Sequence, residues 1–166
     1  MNHEIKQHRL TKEPPTVKKW ILYILLLWLL VIVQASFLSH LTVFGAVIEI
    51  AFATILLFGW KQSPPVGGIY GMVGGFLLDA LTYSDHSLVP LLFFAGGVYA
   101  SFAAKRLHDH PLTYLIMTVP AHVLLAAWRG FCERSISHAF AVLLAGVIGS
   151  VIVYVPAAVR FFKRKS

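Results

Sequence analysis

Six apolar stretches separated by short polar breaks occupy most of the chain, at 20–38, 43–60, 66–81, 87–104, 112–128 and 139–162. At about 1.5 Å of rise per residue, each approaches or exceeds what a hydrocarbon core of about 30 Å demands. The pattern predicts an all-α polytopic membrane protein with six transmembrane helices. The run at 66–81 is the shortest. It counts as spanning because leaving it out would put Lys105 and Arg106 on the face opposite the basic C-terminus. Trp20, Trp60, Trp128 and Tyr83 fall at span ends, where amphipathic rings favour the membrane interface.

Charge gives the orientation. Lys6, Arg9, Lys12, Lys18 and Lys19 precede the first span, and Lys61 lies in the second connection. Lys105 and Arg106 lie in the fourth connection, and Arg160, Lys163, Arg164 and Lys165 close the chain. The positive-inside rule makes all of these cytoplasmic if both termini are inside. Only Arg129 and Arg134 fall on the outer side, in a loop shared with Glu133.

At 58% hydrophobic, the 166 residues leave no room for a separate soluble domain. Residues 1–19 read as a flexible basic cytoplasmic segment interrupted by Pro14 and Pro15, and 20–166 as one six-helix domain. The net charge of +7 sits at helix ends rather than on one face, so orientation and anionic lipid explain it better than nucleic acid does. The single cysteine, Cys132, cannot form an intrachain disulfide.

Few residues carry candidate chemistry. Gly67, Gly71 and Gly75 recur every four residues with Gly68 and Gly74 beside them, leaving a helix face nearly free of side chains that a neighbouring backbone can approach. Asp79 follows on the same helix, and Glu49 lies about two turns into the second predicted span. Both fall in the outer half of the membrane, in the layer of His122 and Arg129. Carboxylates facing lipid there would be costly, so an inward-facing polar cluster is expected, with Arg129 or His122 offsetting Glu49 or Asp79. The cytoplasmic trio His108, Asp109 and His110 points in divergent directions and reads as a solvated turn rather than a metal site. Pro120 and Pro156 lie within helices. Phosphate-loop, zinc-helix and nucleophile-elbow motifs are absent, which argues against an enzyme, and no cofactor or metal is expected.

The stretch from Val66 to Leu81, with Gly67, Gly71, Gly74 and Gly75 ahead of Asp79, resembles the third helix of the rod shape-determining protein MreD family. The run 91–106, with Gly96, Gly97 and Tyr99, suits the same family, and the resemblance covers about residues 20–162. This chain departs from it in two places. Ile48, Glu49 and Ile50 stand where members often carry a Pro-Asp-Leu-like start, and residues 84–90 lack the usual glycine. The resemblance implies a non-catalytic scaffold of the bacterial cell-elongation machinery in the cytoplasmic membrane. Its partner would be MreC and, through it, MreB, RodA and a class B penicillin-binding protein. The glycine face would be a surface for close helix contact. The alternative is a vitamin-binding subunit of an energy-coupling-factor transporter, also built from six helices. Against it, the first span offers only bulky residues until Ala35 and Ser36, where such subunits typically carry small ones.

Overall fold

A computed structural model describes residues 16–82, 88–106 and 111–163. The basic segment up to Pro15, Tyr83, residues 84–87, the trio His108, Asp109 and His110, and the side chains of the basic C-terminal end lie outside the described residues. Six α-helices follow one another: α1 (Val17–Ser36), α2 (Ile50–Lys61), α3 (Pro64–Thr82), α4 (Val89–Arg106), α5 (Pro111–Cys132) and α6 (Ile136–Lys163). A two-stranded antiparallel hairpin, β1 (Thr42–Val43) and β2 (Ala46–Val47), joins α1 to α2.

Helix boundaries follow local chemistry. α3 and α5 open on Pro64 and Pro111, whose fixed φ suits a first helical position that needs no N–H. α6 is capped by Ser135, whose hydroxyl accepts from the His138 amide at 3.2 Å. Pro120 and Pro156 sit inside α5 and α6, as expected.

Among the described residues, four segments are long and apolar enough to cross a membrane: Val17–His40, Pro64–Thr82, Thr113–Cys132 and Ile136–Pro156. The second predicted span differs from its expected form. Helix α2 has 12 residues, about 18 Å, and starts at Ile50 rather than near Val43. Residues 43–47 form the hairpin instead, turning through Phe44 (φ 51) and Gly45 (φ 86). Two consecutive positive φ values are the signature of a two-residue type I′ turn, and Gly45 adopts its value without steric cost.

Burial explains why α2 can be short. α2 is apolar on every face, and Ala51, Phe52, Ala53, Ile55, Leu56 and Gly59 are all buried, with the other five helices packed around it. α1 is equally apolar yet buries only Leu27, Val31 and Gln34, while Ile21, Leu22, Leu25, Leu26 and Leu29 face outward. An apolar surface of that extent suits lipid as the surrounding solvent, and the chain is a helical membrane protein.

Candidate functional site

The glycine-rich face of α3 is filled by the protein's own helices. Gly67, Gly71, Gly74 and Gly75 are all buried. At the crossing of α3 with α4, a Cβ on Gly97 would collide with the Gly67 carbonyl, and one on Gly67 would lie 2.7 Å from the Gly97 carbonyl. Gly59 of α2 joins them, since its Cβ would stand 2.6 Å from the same Gly97 oxygen. Three backbones therefore converge where any side chain would hold them apart. The Ser101 hydroxyl fastens the crossing by donating to the Gly59 carbonyl at 2.7 Å, with its own helix's Gly97 carbonyl at 2.9 Å. Further along α3, Gly71 meets the Phe93 carbonyl, Gly74 meets Ile55 and Leu27, and Gly75 meets Pro90.

A polar cluster lies at the start of α2. Glu49 is the residue preceding the helix, not two turns inside it, and is 1% exposed. Its Oε1 pairs with Arg129 Nη2 at 2.5 Å, and its Oε2 accepts from the Gln34 amide at 2.9 Å. Gln34 in turn accepts from the Ala51 backbone N–H at 2.7 Å through its own oxygen. Helical side chains lean toward their N-terminus, so Arg129, near the end of α5, reaches back into the body rather than out of it. Gly149 of α6 lies against the Glu49 backbone, where a Cβ would be 3.2 Å from its carbonyl oxygen. The arrangement ties together the last turn of α1, the first of α2 and the end of α5, with the middle of α6 packed against it.

His122 occupies a second polar position, also 1% exposed. Its Nε2 lies 2.8 Å from Ser150 Oγ, while the Tyr114 hydroxyl donates to the Ala53 carbonyl at 3.0 Å. Nδ1 has no partner among the described residues. Phe52 stands edge-on to the ring, 5.3 Å between centroids. Gly146 of α6 admits it, since a Cβ there would collide with Nδ1.

Of the four residues expected to form one cluster, the structure joins Glu49 to Arg129 and gives His122 a separate network with Ser150. Asp79 is half-buried near the end of α3, and the contacts of Glu49 run to Gln34 and Arg129. Sequence reasoning missed Gln34 and Ser150. An amide in the last turn of an otherwise apolar helix was the available signal for Gln34; a serine among small residues gave none for Ser150.

The cluster has the character of a structural lock in a helical membrane bundle. Both Glu49 oxygens are taken by protein groups, and no group of three or more metal-ligating side chains occurs among the described residues. No family model, curated protein or solved structure matches the chain.

Proposed function

We propose that this protein is a non-catalytic scaffold of the MreD type, held in the bacterial cytoplasmic membrane by six spans with both termini inside. It acts with MreC, and through it with MreB, RodA and a class B penicillin-binding protein, in the peptidoglycan synthesis that elongates a rod-shaped cell. The observation that carries this reading is the α3 run from Gly67 to Asp79, whose glycines set close helix crossings. The Glu49 lock supports the same reading, because its charge is met from within and holds a shape rather than presenting a group to a ligand. With the glycine face taken by α4, a partner's helix would meet the outward residues of α3, Ile69, Met72 and Phe76.

Depletion with microscopy tests the reading. Rounding of rod-shaped cells, reversed by the intact gene, is the expected result. Unchanged shape together with a new vitamin requirement would overturn it and favour the transporter subunit.

A further inference from the structure

α4 is pressed against α3 on one side, but toward α5 the packing opens into an apolar crevice of about 160 Å³. Leu92, Ala95, Gly96 and Tyr99 of α4 face Ala121 of α5 across it, with Phe52 at the back. The small residues leave the gap. An apolar cavity of about 150 Å³ accepts a small hydrocarbon group rather than water. Tyr99 closes one end by donating to Met117 Sδ at 3.5 Å.

Beyond that bridge the same face of α4 ends in a cation. Leu92, Tyr99 and Arg106 are spaced by sevens, and residues seven apart on a helix stay within about 20° of one another. Arg106 is exposed, and no carboxylate pairs with it among the described residues. Lys105 adds a second charge beside it, with Nζ 5.6 Å from the Phe102 ring centre. At about 1.5 Å per residue, the crevice lies some 10–21 Å from Arg106 along the helix. One leaflet of a core about 30 Å thick is about 15 Å deep, so a chain anchored at Arg106 reaches it.

We propose that the crevice seats an acyl chain of an anionic phospholipid whose phosphate rests on Arg106. The site rests on membrane embedding, not on the cell-elongation role. A cation near the membrane surface contributes about 1 kcal/mol toward an anionic headgroup, equivalent to about fivefold in retention.

The test is native mass spectrometry of the full chain extracted from bilayers of equal phosphatidylglycerol and phosphatidylcholine. The wild type should retain phosphatidylglycerol preferentially, and inorganic phosphate should not displace it. Arg106→Gln should lower that preference about fivefold. Ala95→Phe, at an exposed position lining the crevice, should abolish retention while leaving helical content and monodispersity unchanged. Equal retention of the two lipids, displacement by free phosphate, or undiminished retention in both variants would overturn the site. A chain absent from the membrane fraction would overturn the embedding as well, so the two failures are distinguishable.

Discussion

Arg129 Nη2 stands 2.5 Å from Glu49 Oε1, so the last turns of α5 are held by charge to the residue that opens α2. A buried carboxylate stripped of its counter-ion is among the costlier defects a fold can carry. Arg129→Met should therefore destabilise the protein by about 3–5 kcal/mol, read as a lower thermal midpoint in detergent. The double variant Arg129→Met with Glu49→Gln should recover much of that loss, because the amide needs no cation and keeps its place beside Gln34. Equal destabilisation in the single and double variants would show that the pair is not a coupled unit.

The crossing at Gly97 makes a sharper demand. Gly97→Leu forces α4 away from the Gly67 carbonyl, and overpacking of this kind typically costs about 1–3 kcal/mol or more. The amount of monodisperse protein extracted from membranes should fall several-fold. Met72→Leu, on the outward face of the same α3, should leave that amount unchanged.

Ser101→Ala removes the hydroxyl that meets the Gly59 carbonyl while sparing the helix crossing itself. A net loss of about 1 kcal/mol is expected, smaller than for Gly97→Leu, in the same thermal measurement.

His122 and Gly146 should behave as a lock and its recess. Gly146→Ala places a methyl on the imidazole and should destabilise by about 1–3 kcal/mol. His122→Ala in the same chain should relieve the clash, so the double variant should be more stable than the two single losses summed. Simple additivity would mean that the ring has room to move away.

How far the sequence revealed these features depends on the range of the interaction. Six helices were legible because each is a long apolar run bounded by charge, proline or glycine. The start of α2 was not. Residues 43–48 are as apolar as the helix they precede, and hydropathy alone does not separate a hairpin from a helical turn. Gly45 was the local signal for a turn, outweighed by its apolar neighbours. Close packing of the α3 glycines was legible from their spacing, whereas their partners Gly97 and Gly59 lie on other helices and only the fold brings them together. That Arg129 or His122 would offset Glu49 or Asp79 followed from the cost of isolated charge in lipid, but that Glu49 would take Arg129 did not. Gln34 and Ser150 did not, because neutral polar residues are tolerated in many settings and only tertiary contact assigns them a role.

The side of the membrane that each connection occupies decides which charges face the cytoplasm and which partners can reach them. The most direct measurement is labelling by a membrane-impermeant maleimide in a Cys132→Ser background, comparing Ser137→Cys in the exposed first turn of α6 with Ser166→Cys at the C-terminus. In intact cells with a permeable outer barrier, the position at 137 should label and the position at 166 should stay protected until the inner membrane is breached. Labelling of both from outside, or of 166 alone, would contradict a six-span bundle with its ends in the cytoplasm.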